Sequence, residues 1–217
     1  MKPEHIKPED IEKRSFEIIT EELLARGFGR DVAPVQLLVI KRCIHTTADF
    51  DYADTLCFSE GAVDIFQRLV REGATIVTDT NMALAGINKK MLAAYGCDIR
   101  CFMADEDVAA EAKEKGITRA SVSMSRAMSL PGPVIFVIGN APTALITLRQ
   151  RYDDGTYKPA FIVGVPVGFV NVEASKLLIT QTHIPHIVNL GRKGGSNVAA
   201  AIVNAMLYDM DRAAKRI

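Results

Sequence analysis

His45 is the side chain in this sequence with the clearest capacity for proton chemistry. It is one of four histidines, it closes a largely apolar stretch that begins at Val35, and the polar pair Thr46-Thr47 follows it. An imidazole ionises near neutral pH and can give or take a proton during a reaction. In the same place it can equally serve as a packing residue. Ser15 is the second candidate. It falls on the stripe of Ile11, Ile18, Ile19 and Leu23, where a hydroxyl can face a pocket or return a hydrogen bond to its own helix. The third feature is Gly191-Arg192-Lys193-Gly194-Gly195-Ser196, two cations among glycines that let backbone approach a ligand closely. Its composition suits a carboxylate, a phosphate or a solvated turn, and its spacing is not that of a GxxxxGK[ST] phosphate loop. His183 and His186 straddle Pro185 and have no further ligands at metal-binding spacing, so both are read as structural. The chain has no GxSxG elbow, and no GxGxxG follows its first strand, so neither a serine hydrolase nor a dinucleotide enzyme is indicated.

These residues need elements to hold them. Apolar residues at helical spacing predict a first helix, with Ser15 on its buried stripe and Gly27 placed to stop it. A second helix is predicted from near Asp31–Pro34 to about His45, and Thr46 to Ser59 shows no clear pattern. A rhythm then sets in. A helix over Glu60–Arg71 precedes five short β-branched runs: Ala74–Thr78, Ile99–Met103, Val134–Ile138, Phe161–Val165 and His186–Leu190. Between and after them lie the helical stretches Asn88–Tyr95, Asp105–Lys115, Thr118–Met128, Pro142–Tyr152, Val172–Thr182 and Ser196–Arg212. This alternation predicts an α/β fold, a mainly parallel five-stranded sheet with helices on both faces, and one domain over residues 1–217. Ligands of such sheets bind beyond the carboxyl ends of the strands. The unusual residues gather there, at Asp79–Met82, Gly139–Thr143, Gly164–Phe169 and Gly191–Ser196. Cys97 and Cys101 are expected on one face of a strand, in the core.

Composition removes several function classes. Lys and Arg together number 26, as do Asp and Glu, so no basic footprint for nucleic acid or an anionic membrane exists. Trp is absent and aromatics are 6%, which argues against a base-stacking platform. The N-terminal Met1-Lys2-Pro3-Glu4-His5 is no apolar signal core, and the run Val35 to Ile40 is far too short to span a bilayer. Four cysteines without CxxC spacing read as reduced thiols of a cytoplasmic protein. From the residues alone, this is an α/β domain that binds or transforms an anionic small molecule without a nucleotide cofactor.

Longer motifs now carry a resemblance. Gly139-Asn140-Ala141-Pro142-Thr143-Ala144-Leu145, Gly164-Val165-Pro166-Val167-Gly168-Phe169-Val170, Glu173-Ala174-Ser175-Lys176 and Gly191–Ser196 resemble the precorrin-8X / cobalt-precorrin-8 methylmutase family. So do Arg14-Ser15-Phe16-Glu17-Ile18-Ile19, Arg42-Cys43-Ile44-His45 and Gly116-Ile117-Thr118-Arg119, in the same order along the chain. The resemblance implies an isomerase of vitamin B12 biosynthesis that moves a methyl group between adjacent carbons of corrin ring C, with no cofactor. It implies a three-layer flavodoxin-like fold with an N-terminal helical segment, and a homodimer whose active site is shared between subunits. It gives His45 the role of acid toward a ring nitrogen, and places Ser15 and Arg119 in the same pocket. Asn88 stands where the family has a pocket threonine. Arg192 and Lys193 join Arg119 as partners for the carboxylates that edge a corrinoid, and Met82, Val165 and Val167 are candidates to cover its face. The family acts on metal-free or cobalt-containing substrates; the cobalt form is taken here, with the metal-free form and a non-catalytic corrinoid carrier as alternatives.

Overall fold

Residues Val134 to Ile138 alternate strictly between two hydrophobic layers. Ile135 and Val137 pack on one side of the sheet, and Val134, Phe136 and Ile138 on the other. Both faces of this strand are therefore covered, which is why it reads as a continuous apolar run. In a computed structural model that describes residues 5–29 and 32–214, the same alternation recurs in the neighbouring strands.

The strands are β1 (Leu56–Phe58), β2 (Thr75–Thr78), β3 (Ile99–Arg100), β4 (Val134–Ile138), β5 (Phe161–Gly164) and β6 (His186–Asn189). They form one sheet of order β1-β6-β5-β4-β2-β3. Every pairing is parallel except β1 with β6. The five parallel strands thus have the doubly wound order of flavodoxin-like folds, which reverses between β2 and β4. The sheet has six strands where five were predicted. The addition, β1, is three residues long, too short for a periodic signal, and it exists because β6 offers it an edge.

Eleven α-helices surround the sheet among the described residues. On the face of Ile135 lie α1 (Ile11–Ala25), α2 (Pro34–Thr47), α3 (Tyr52–Thr55), α4 (Ala62–Arg71), α5 (Asn81–Gly86), α6 (Lys89–Ala94) and α11 (Ser196–Ala214). The opposite face carries α8 (Arg119–Ala127), with α7 (Glu106–Lys115) beside it, together with α9 (Pro142–Asp153) and α10 (Val172–Thr180). Helix α5 lies where only a strand-end turn was expected; Thr80 caps it by accepting the Ala83 N–H. Met1–Glu4 and Asp31, the first residue of the expected start of the second helix, lie outside the described residues. Strand β3 is cut to two residues, so Cys97 and Cys101 fall beyond it; Cys97 is buried and Cys101 only half-buried. No described helix is long and apolar enough to cross a membrane.

The sheet reversal is pinned by one carboxylate. Asp79, fully buried at the end of β2, accepts the N–H groups of Gly139 and Asn140 at 2.8 Å each and of Ala141 at 2.6 Å. Burial pushes its carboxyl upward, and the three backbone donors pull it back. Gly139 is required beside it, because a Cβ there would stand 2.7 Å from Ser196 Cα at the start of α11. Ser196 in turn shares a 2.7 Å hydrogen bond with Thr80.

Asp79→Asn is expected to lower stability by about 2–4 kcal/mol, since an amide turns an N–H toward at least one of these donors. Thermal unfolding followed by circular dichroism should show a fall in Tm of roughly 5–15 °C for a chain of this size. A Tm within about 2 °C of wild type would mean that the three bonds carry no net stability.

Candidate active site

Helix α1 presents Ser15 to α2, and the Ser15 hydroxyl is hydrogen-bonded to His45 Nδ1 at 2.7 Å. The two residues read separately from the sequence therefore form a pair across 30 positions. Phe16 fixes the imidazole plane, stacking on it with centroids 5.3 Å apart and planes 23° from parallel. The Arg42 guanidinium covers the other end of this stack, 4.6 Å from the Phe16 centroid and 5.5 Å from that of Tyr208. Arg42 is also ion-paired to Glu12, which holds that carboxyl below its ordinary range. Its Nε is buried without a hydrogen-bond partner among the described residues. With Nδ1 engaged by Ser15, Nε2 is the nitrogen left for a ligand. A hydroxyl can donate to Nδ1 or accept from it, so the pair accommodates both neutral and charged imidazole.

The expected burial of the first-helix stripe is only partly found. Ile19 and Leu23 are core, but Ile11 and Ile18 are 55% and 39% exposed. The reason is spacing: the helix uses one edge of its stripe against α2 and leaves the other edge open. That open edge forms a cleft of about 490 Å³ lined by Ile11, Ser15, Ile18, Ile44, His45, Ala48 and Phe50. On the other side of His45, a hollow of about 300 Å³ includes Arg42, Gly86, Asn204 and Tyr208. Asn88 is tied to that hollow: its N–H donates to Asn204 Oδ1 at 2.8 Å, while Asn204 donates to the Gly86 carbonyl. The Asn88 side chain itself caps α6 by accepting the Met91 N–H. A larger groove of about 820 Å³ flanks α1, but four glutamates (Glu9, Glu12, Glu17, Glu21) oppose its three cations, a poor match to a polyanion.

The strand-end loop is rigid. Lys176, fully buried, donates to the Gly191 and Lys193 carbonyls at 2.7 Å each, and burial pulls its ammonium down to about 8. Its position on the stripe of Val172, Ser175 and Ile179 was a readable signal, since a lysine there must find buried acceptors. Gly194 is pressed so close to β5 that a Cβ would stand 2.1 Å from the Val165 carbonyl oxygen. Two cations leave this loop. Arg192 pairs with Glu173 at 2.9 Å and lies 5.5 Å from the Phe169 ring centroid. Lys193 binds Asp49 at 2.5 Å and Asp51 at 2.6 Å, just beyond His45, which lowers the Asp49 carboxyl and raises the lysine.

Arg119 is apart from these. It opens α8 behind the cap Thr118, whose hydroxyl meets that of Thr143 at 2.9 Å. Helix α8 packs on the face of the sheet opposite α1 and α2, so one chain does not bring Arg119 to His45. Of the proposed apolar covers, Met82 and Val167 are exposed, but Val165 is fully buried and cannot serve. Phe169 and Val170, at 82% and 79% exposure, offer apolar surface there instead. His186 is buried with Nδ1 held 2.7 Å from the Ile184 carbonyl oxygen, and His183 is exposed. Among the described residues, no group of three or more His, Cys, Asp or Glu side chains is placed to hold a metal ion.

Known proteins share this sequence and fold over most of the chain. The family model described as Precorrin-8X methylmutase matches residues 10–209. A cobalt-precorrin-8 methylmutase of Salmonella typhimurium is 44% identical over 95% of this chain and 98% of its own length. A precorrin-8X methylmutase of Pseudomonas aeruginosa is 38% identical over 93% and 95%. The crystal structure of a precorrin-8X methyl mutase from Thermus thermophilus matches with a TM-score of 0.83 at 33% identity, covering 94% of this chain and 98% of that one. With the α/β sheet, the strand-end loops and the Ser15–His45 pair in place, the sequence and the fold lead to one assignment: this chain belongs to the precorrin-8X methylmutase family of isomerases.

Proposed function

We propose that this chain moves a methyl group from ring carbon 11 to ring carbon 12 of cobalt-precorrin-8, giving cobyrinate in cobalamin biosynthesis. The observation that carries the reading is the Ser15–His45 pair, 2.7 Å apart on the wall of an apolar cleft. The methyl migrates as a 1,5-sigmatropic shift. His45 Nε2 donates a proton, or a strong hydrogen bond, to the ring nitrogen beside the migrating centre. Electron density leaves the conjugated system, and the shift becomes easier. In the charged imidazole Nδ1–H donates to the Ser15 oxygen, and this bond keeps the ring in one orientation as the proton and its charge leave Nε2 for the substrate. The cobalt ion is part of the substrate. Higher identity to the relative named for the cobalt substrate favours that form over the metal-free one.

The site is completed by a second copy of the chain. Arg119 stands on the far face of the sheet from His45, and Ile11 and Ile18 leave an apolar strip on α1 open to solvent. A homodimer supplies both needs: it covers the strip and brings one subunit's Arg119 to the other's imidazole. Arg119 and Arg192 then hold peripheral carboxylates, for which a guanidinium fork is suited. Four free thiols accord with work in the cytoplasm.

His45→Ala should bind the corrinoid product with similar affinity while slowing single-turnover conversion by about 10²–10⁴-fold, the usual contribution of a positioned acid. Absorbance at saturating enzyme, a product titration and a melting curve measure the three quantities. Wild-type conversion by the folded variant would leave His45 as a packing residue.

Arg119→Ala should raise KM with little change in kcat, because the carboxylate it holds keeps its charge as the methyl moves. A collapsed kcat at unchanged KM would put Arg119 in the chemical step instead.

Light scattering should report twice the monomer mass. When His45→Ala and Arg119→Ala proteins are mixed and allowed to exchange subunits, activity at low substrate should rise toward roughly a quarter of wild type, since half the dimers regain one intact site. No recovery after demonstrated exchange would place both residues in the same subunit's site.

A further inference from the structure

Lys193 invites a role as a substrate-carboxylate ligand, yet its ammonium already has two carboxylates, Asp49 at 2.5 Å and Asp51 at 2.6 Å. Its other end is equally engaged. The Lys193 carbonyl accepts from Lys176 Nζ at 2.7 Å and from Asn189 Nδ2 at 2.9 Å, both buried side chains. The loop around it is locked at Arg192, whose carbonyl accepts the Gly168 N–H, and at Gly195, whose N–H donates to Val165. One rigid platform thus reaches across to one short turn.

That turn is the segment next to His45. Ala48 ends α2 with φ of 54°, a left-handed conformation that a non-glycine residue adopts at a cost of about 1–3 kcal/mol unless its surroundings hold it there. Asp49 Oδ1 accepts the Asp51 N–H at 3.0 Å, so the two carboxylates belong to one Asx turn. Phe50 stands between them. Ala48 and Phe50 both line the cleft that contains His45, and the Arg26 guanidinium caps the Phe50 ring at 4.2 Å. Exposed ion pairs add only about 0–1 kcal/mol each to stability, so the value of this one lies in where it puts the turn.

We infer that Lys193 is a positioning residue: it braces the Asp49–Asp51 turn against the Gly191–Ser196 platform and so sets the Ala48–Phe50 wall beside His45. This rests on the cleft being the active site. Without the brace, the strained turn relaxes, and Phe50 is free to leave the wall. A substrate whose reacting centre shifts by a fraction of an ångström then reacts more slowly although it still binds.

The test separates a brace from a ligand. Lys193→Met keeps the stem and removes the ammonium, Lys193→Arg keeps a cation, and the pair Asp49→Asn/Asp51→Asn removes the other half of the contact. Hydrogen exchange on the protein without substrate should accelerate at residues 48–52 in Lys193→Met and in the double asparagine variant, and return toward wild type in Lys193→Arg. Combining Lys193→Met with the two asparagines should add nothing further. At saturating substrate, the first two variants should convert about tenfold more slowly, with product affinity within about twofold. The inference is overturned if Lys193→Met leaves exchange unchanged and weakens product binding about tenfold while the asparagine pair binds more tightly, for then Lys193 grips the substrate. Exchange needs no substrate. Loosened exchange with wild-type turnover in both Lys193→Met and His45→Ala would therefore retain the brace and discard the cleft as the catalytic site.

Discussion

Three N–H groups converging on one buried carboxylate hold this fold at the place where it can least tolerate slack. The sheet reverses direction between β2 and β4, and helices leave those strands toward opposite faces. In doubly wound sheets this divergence opens a crevice. Here Asp79 closes it, taking the N–H groups that Gly139, Asn140 and Ala141 would otherwise leave unpaired at the entrance to α9. A carboxylate with two oxygens is the smallest group that can accept all three. The loops of the carboxyl rim are mutually located from this point, through Thr80 to Ser196 and through Thr143 to Thr118.

The proposed ligand site lies beside the reversal and not in it. It is built on an antechamber of two helices on one side of the sheet: α1 packs against α2, and α2 against α11. This placement explains an apolar stripe left half exposed on α1. A helix that buried every apolar side chain within its own subunit would leave no cleft in which a large macrocycle could meet an imidazole. Aromatic stacking keeps that imidazole from turning freely even though it is solvent-facing: Phe16 holds its plane, and Arg42 holds Phe16.

The rim cations divide by their partners. Among the described residues Arg192 has one carboxylate partner, the exposed Glu173, a contact that a ligand can displace at little cost. Lys193 is held at both ends, by Lys176 and Asn189 within and by Asp49 and Asp51 without. Buried Lys176 makes the whole loop possible, because it satisfies two carbonyls that glycine-rich backbone turns inward. Residues that look alike in composition thus differ in what they are free to do.

Much of this was legible in the residues themselves. Continuous apolar runs marked β2, β4, β5 and β6 because each is covered on both faces, and the run Val134–Ile138 was bounded without error; at the edge, β3 with its exposed Arg100 is shorter than its predicted run. Strand β1 was hidden, since three residues carry no period and only the edge of β6 makes them a strand. His45 and Ser15 stood out singly by type and position. Their pairing did not, because a hydrogen bond across 30 positions depends on how two helices cross. Asp79 and Lys176 carried local signals, a carboxylate ending an apolar strand and a lysine on an apolar stripe, but their acceptors and donors lie on other segments. The same holds for Arg119 and Lys193, cations at loop ends that their types alone do not tell apart. Sequence determined which residues could do chemistry and which segments form the parallel part of the sheet, since both follow from side-chain type and local period. Tertiary structure alone decided which cations are occupied and which face of the sheet each reaches, since charge pairing and layer assignment depend on distances between segments far apart in the chain.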